Sequence, residues 1–128
     1  MKNILKIMGL LLIVSSTQYA VELPEQVKKE VTCLKMSLLK HEFDRFKLDN
    51  GVYPDTKEGF GALVRNPDAK KYQNYRPHIK KLPMDAWGIP LVYIKKSDRK
   101  IEIISYASDR KKGGEGTGKD ILLSECEK

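Results

Sequence analysis

The chain has 128 residues, with 24 lysines and arginines against 17 aspartates and glutamates, and its net charge is +7. This length corresponds to a single domain with a modest hydrophobic core. The basic residues are scattered in short runs, and aromatic side chains do not alternate with them. This distribution is typical of a solvated basic surface and argues against a nucleic-acid site.

The N-terminal segment predicts an export signal. Two lysines make a basic start, residues 7–14 are apolar, and small or polar residues follow. The apolar segment is too short to span a bilayer, which takes about 20 residues. We expect a cleaved signal peptide over residues 1–20, ending at Ala20 or alternatively at Ser16. The product would be periplasmic or secreted, without a stable membrane anchor. A buried first helix of a cytosolic protein is the alternative.

The chain contains two cysteines, Cys33 and Cys126. In an exported protein an even number favours a disulfide, which here would tie the N-terminal helix to the C-terminus. Closing so long a loop would add about 3–5 kcal/mol in the chain-entropy picture. The alternative is a buried Cys33 and a free thiol at Cys126. A metal site that also includes His41 and His78 is disfavoured because no ligand-pair spacing is present.

A long helix is predicted over residues 24–49. Pro24 suits its first turn, and Asn50 followed by Gly51 is a good end signal. Apolar residues recur at intervals of three or four, which predicts a buried face. The positions expected on this face form two adjoining stripes: Val27, Val31, Leu34 and Leu38, then Leu39, Phe43 and Phe46.

Residues 55–81 are predicted to form a short helix followed by a variable loop. Asp55 and Glu58 resemble a capping box for about two helical turns, which two glycines weaken. Asn66 before proline ends this helix.

Residues 82–128 are predicted to form a sheet and a terminal loop. Residues 89–95 and 100–107 read as an antiparallel hairpin, and a short last strand is expected at residues 121–123. Trp87 is expected to cap the core between helix and sheet. The predicted fold is therefore α+β, with one long helix packed on a small antiparallel sheet and a C-terminal Gly-rich loop.

The Gly-rich loop contains GGEGTGKD, residues 113–120, which resembles a phosphate-binding P-loop that lacks its hydroxyl residue. Asp120 would place a carboxylate beside the phosphates. The eight residues that follow are too few for the helix and parallel sheet that such a site requires. A nucleotide site is therefore rejected.

Three segments occur in a fixed order: KLDNGVYPDTKEGFGAL, KKLPMDAWGIPLVY and SYASDRKKGGEGTGKDI. Together they resemble the major pseudopilin of the bacterial type II secretion system, over about residues 35–121. The resemblance implies a pilin-like fold and a structural, non-enzymatic role in the periplasmic pseudopilus. It also implies partners among secretion-system or pilus-like proteins, with oligomer formation possible.

The resemblance further implies a calcium ion in the C-terminal loop. Asp109 and Asp120 stand at the acidic positions of the family pattern. Backbone carbonyls near Tyr106, Gly116 and Gly118 would complete the shell, because hard cations take oxygen ligands.

Two departures from the family pattern qualify these expectations. Gly118 replaces an acidic or amide residue, and three cations at residues 110–112 follow Asp109. Both changes weaken calcium binding, and an ion-free loop is the alternative. The leader-like Gly9 is followed at the fifth position by Val14 instead of glutamate, in an apolar run too short for an anchor. We expect a non-anchored subunit or, alternatively, a soluble binding module that reuses the pilin scaffold.

Overall fold

The structure, a computed structural model, describes residues 22–128. The predicted signal peptide, residues 1–20, lies outside the described residues. Within residues 22–128, none of the helices is both long and apolar enough to cross a membrane.

The first helix, α1, spans Glu25–Asn50, in agreement with the predicted range. Pro24 precedes it with φ −57°, a value that suits a helix start. A glutamate in the first turn and a lysine in the last complement the helix dipole. Gly51 ends the helix with φ 82°, and its N–H donates to the carbonyl of Lys47.

The buried face of α1 differs from the predicted one. The second predicted stripe is buried as expected, but Leu34 and Leu38 are 62% and 57% exposed. A helix turns about 100° per residue, so Leu38 points well away from its buried neighbour Leu39. Thr32 and Met36 are also buried, although the predicted stripes did not include them. The full set of buried residues in α1 is Thr32, Met36, Leu39, Phe43 and Phe46.

The short helix, α2, spans Gly61–Val64 and has one turn where two were predicted. The capping box forms only in part. The Asp55 N–H donates to Glu58 Oε1 at 2.8 Å, but the Asp55 carboxylate pairs with Lys71 at 2.9 Å instead of capping the helix.

The sheet has three antiparallel strands in the order β1-β2-β3. The predicted hairpin is present, and β1 begins later than predicted because Pro90, which has no N–H, makes only an isolated bridge to Met84. The chain turns helical directly after the last strand, as α3. The bounds are β1 Val92–Ser97, β2 Lys100–Ser105, β3 Ile121–Leu122 and α3 Leu123–Cys126.

An aromatic cluster forms the core between α1 and the sheet. The Phe43 ring lies 4.3 Å from the Tyr93 ring and 5.3 Å from the Phe60 ring, measured between centroids. Phe46 makes an edge contact with the buried Tyr72. Burial raises the pKa of Tyr93, whose hydroxyl donates to a backbone carbonyl at 2.8 Å. The cluster joins the helix, the loop after it and the hairpin.

Candidate functional site

The disulfide Cys33–Cys126 joins the middle of α1 to the end of α3. The two Cα atoms lie 5.6 Å apart and are 93 positions apart in sequence. The predicted pairing is therefore present, and the alternative of a free thiol at Cys126 is wrong. The bond also removes both thiols from any metal site.

The C-terminal loop contains two 3-10 turns, Ala107–Asp109 and Gly116–Gly118. Asp109 Oδ1 accepts the Lys111 N–H at 2.9 Å, and Asp120 Oδ2 accepts the Gly113 N–H at 2.8 Å. Both predicted ligand residues are therefore bound to the same stretch of backbone between the turns.

Gly114 lies where the loop closes on itself. A Cβ at this position would collide with Asp109 Oδ2 and with the carbonyl oxygen of Gly118, and the φ of Gly114 is +97°. Only glycine fits this site. A carboxylate oxygen and a backbone carbonyl oxygen thus face the same small volume.

The other carboxylate has an unusual feature. Asp120 Oδ1 is buried and has no hydrogen-bond partner within the described chain. Buried polar atoms nearly always have a partner, and a carboxylate oxygen without one is costly. This atom fits a site that binds a cation.

Side chains alone do not make a complete cation site here. Within residues 22–128, no three His, Cys, Asp or Glu side chains are grouped closely enough to hold a metal ion. A cation in this loop would therefore combine the Asp109 and Asp120 carboxylates with backbone carbonyls such as that of Gly118. The half-buried Tyr106 precedes the first turn.

Two residues of the loop adopt the left-handed backbone conformation without being glycine. Ala107 has φ 57° and Arg110 has φ 60°. The loop therefore keeps the backbone path that glycine would favour, at a cost of about 1–2 kcal/mol per residue.

A buried polar network fixes the root of the loop. Asp85 Oδ1 accepts the N–H groups of Trp87 and Ile89, each at 2.9 Å. Its Oδ2 accepts the Ser105 hydroxyl at 2.7 Å, and the Ser105 oxygen accepts the Ala107 N–H. Sequence reasoning missed Asp85, although an aspartate that accepts the N–H two residues on is a recognisable turn signal.

Glu102 is a second buried acid that sequence reasoning missed. It is almost fully buried in β2, and its Oε1 accepts the N–H groups of Ile103 and Ser124 at 3.2 and 3.1 Å. It thereby fastens the start of α3 to the sheet.

A cleft of about 400 Å³ lies beside the disulfide, between α1 and the loop. Trp87 forms part of its wall. The Trp87 side chain is half-buried at the edge of the core, and its indole N–H donates to Glu25 at 3.0 Å. Asp120 and Lys119 also line the cleft, which therefore carries both signs of charge.

The basic loop at residues 66–81 is fastened to α1; in a binding module that reuses the pilin scaffold, this loop would be a contact site. The His78 side chain is 3% exposed, with Nδ1 at 3.2 Å from Glu42. Arg76 pairs with Asp49 at 2.7 Å, and its hydrogen bond lowers the pKa of that carboxyl. These two contacts hold the loop to the helix.

A long helix laid on a three-stranded antiparallel sheet, with a Gly-rich terminal loop, defines a pilin-like domain. The structure resembles the crystal structure of the major pseudopilin from the type 2 secretion system of enterohaemorrhagic Escherichia coli. The TM-score is 0.63 and the identity 26%, over 80% of this chain and 96% of that one.

Similarity in sequence points to the same class of protein. A family model described as type II secretion system (T2SS), protein G, matches residues 20–124. Type II secretion system core protein G of Vibrio cholerae is 38% identical over 100 residues, 76% of this chain and 68% of the relative. The type II secretion system core protein G of Pseudomonas aeruginosa is 34% identical over 102 residues, which are 77% of this chain and 72% of the relative. The chain belongs to the type II secretion system protein G family, and the predicted structural role in secretion is confirmed.

Proposed function

We propose that residues 22–128 act on the periplasmic side as a calcium-stabilised structural domain of the type II secretion pseudopilus. The observation that carries this proposal is the family match over residues 20–124. Its partners are then other components of the pseudopilus, and secreted proteins are the cargo. The Cys33–Cys126 bond supports export, because disulfides persist in oxidising compartments.

Deletion of the gene in its own bacterium tests this role. We expect an exoprotein of the type II pathway to accumulate in the periplasm, and the full chain supplied from a plasmid to restore its secretion. Normal secretion in the deletion strain would contradict the role and favour a binding module.

N-terminal sequencing tests the predicted signal peptide. The exported protein should begin at Val21, and retention of residues 1–20 would contradict the predicted signal peptide.

The calcium part of the proposal depends on the loop oxygens. Asp120 Oδ1 is buried without a partner, and Asp109 Oδ2 and the Gly118 carbonyl face one small volume beside Gly114. These oxygens would hold the ion, as calcium prefers carboxylate and carbonyl ligands. The cations at residues 110–112 are exposed and oppose binding only through a screened interaction.

Thermal unfolding with and without calcium tests the ion site. Calcium at 100 times its dissociation constant should stabilise the native state by about 2.7 kcal/mol, and chelator should remove the gain. Asp120→Asn should abolish the response, whereas Asp98→Asn, on the exposed hairpin turn, should leave it intact. A melting temperature that responds to neither calcium nor chelator would contradict the site without affecting the secretion role.

A further inference from the structure

Three of the large apolar side chains that the structure leaves exposed lie together along one groove of the surface. Leu38 is on α1, where the exposed Leu34 lies one turn before it, and Leu82 and Met84, 59% and 45% exposed, are on the segment before the sheet. Between α1 and this segment runs a groove of about 550 Å³, which we call the leucine groove. It is lined by Lys35, Leu38, Leu39, Lys81, Leu82, Pro83 and Met84.

The two walls of the leucine groove are held together. The Lys35 ammonium donates to the carbonyl of Met84 at 3.2 Å. Two residues further on, the Ala86 N–H donates to the Thr32 hydroxyl oxygen at 3.1 Å. These contacts fasten the outer wall to α1, so the groove is formed before any partner binds. A preformed apolar groove lowers the cost of binding.

The rim of the groove is positively charged. Lys35 and Lys81 contribute two ammonium groups, and no acidic side chain of the described chain lines the groove. Two acids that neighbour the groove residues in sequence are already engaged. Glu42, one turn beyond Leu38, accepts from Arg45 and contacts His78, and Asp85 is buried in its own network.

We propose that the leucine groove binds an amphipathic helix of another protein, with acidic side chains beside its apolar face. Apolar side chains of that helix would contact Leu38 and Leu82, while its carboxylates would pair with Lys35 and Lys81. A second copy that presented the same surface would set lysines against lysines, which costs free energy. The proposal does not depend on the secretion role.

A labelled peptide tests the groove directly. The probe is an 18-residue amphipathic helix with leucines on one face and glutamates at its borders, and a second peptide carries lysines instead of glutamates. Fluorescence anisotropy with the full chain should show at least about tenfold tighter binding of the glutamate peptide at low salt. High salt should reduce this preference, since exposed charges are screened.

Matched variants locate the site. Leu38→Ser combined with Leu82→Ser should weaken binding by about tenfold or more through lost apolar contact. Leu48→Ser removes an 84% exposed leucine of the same helix outside the groove, and should change nothing. Lys81→Glu should shift the preference towards the lysine peptide. Lys81 is chosen because Lys35 also holds Met84 in place.

Three results with the purified protein would overturn the proposal. The first is that the two peptides bind equally well or that neither binds. The second is that Leu48→Ser weakens binding of the glutamate peptide as much as the groove variant does. The third is concentration-dependent dimerisation that the groove variant abolishes, because the groove would then join two copies of this chain. Unchanged melting temperatures show that the variants remain folded, as expected for exposed positions.

In the native bacterium, a photo-crosslinker at Leu82 should capture a segment with the stated acidic, amphipathic pattern. Capture of a segment without this pattern would contradict the proposal.

Discussion

The core and the C-terminal loop are stabilised by different kinds of interaction. In the core, α1 and the sheet meet through closely packed aromatic rings, centred on Phe43. In the loop, glycines, two strained residues and carboxylates that accept backbone N–H groups determine the path, and a disulfide lies beside it. Core stability should therefore follow the volume of apolar side chains, whereas loop stability should follow individual polar contacts and bonds.

Removal of a core ring should have the largest effect. Phe43→Ala deletes a fully buried side chain that contacts two other rings, and should lower the free energy of unfolding by about 3–5 kcal/mol. Urea unfolding gives this quantity. The exposed Leu48→Ala is the control, with an expected change within about 0.5 kcal/mol. Similar losses for the two variants would contradict the described core.

Removal of the disulfide should have the next largest effect. The double variant Cys33→Ser and Cys126→Ser avoids an unpaired thiol and should lose about 2–5 kcal/mol in urea unfolding. Reducing agent should destabilise the wild-type protein but not the variant. If reducing agent leaves the wild-type curve unchanged, the bond is absent from the protein in solution.

A single polar contact at the loop root should matter less. Ser105→Ala leaves Asp85 Oδ2 without its buried donor and should cost about 1–3 kcal/mol. Ser97→Ala removes an exposed hydroxyl from the hairpin, and should cost about 0.5 kcal/mol or less. Equal costs would show that the network does not anchor the loop.

Relief of backbone strain should have the smallest effect, and its sign is informative. Arg110→Gly removes the Cβ from a residue with φ 60°, and should stabilise the protein by about 0.5–1 kcal/mol after the added chain entropy is subtracted. Arg99→Gly, in the hairpin turn where φ is not positive, should destabilise it by a similar amount. The same sign for both variants would contradict the strained conformation at Arg110.

Local signals in the sequence were enough for the helix bounds and the hairpin. Pro24 and the Asn50-Gly51 pair mark the ends of α1 through backbone preferences that need no tertiary contact. The buried face of α1 could not be obtained in the same way. Leu34 and Leu38 are as apolar as the buried leucine beside them, and which of them is covered depends on where the rest of the chain packs against the helix.

In the C-terminal loop, too, some features could be predicted from the sequence and others only from the folded structure. The family resemblance pointed to Asp109 and Asp120, and the turn signal at Asp85 was readable from the residues that follow it. The bond from Asp85 to Ser105 spans 20 positions and requires the hairpin to be folded. The approach of Asp109 Oδ2 to Gly118 is a contact across the loop, and the left-handed backbone at Arg110 beside it is one that arginine does not signal.

The position of the disulfide also determines how the domain carries mechanical load. A pull between the start of α1 and the C-terminus enters at one bonded cysteine and leaves at the other, so the covalent bridge carries the tension. The chain between Cys33 and Cys126, which are 93 positions apart, forms a closed loop that such a pull does not lengthen while the bond is intact. The core and the loop are thereby shielded from tension applied at the two ends.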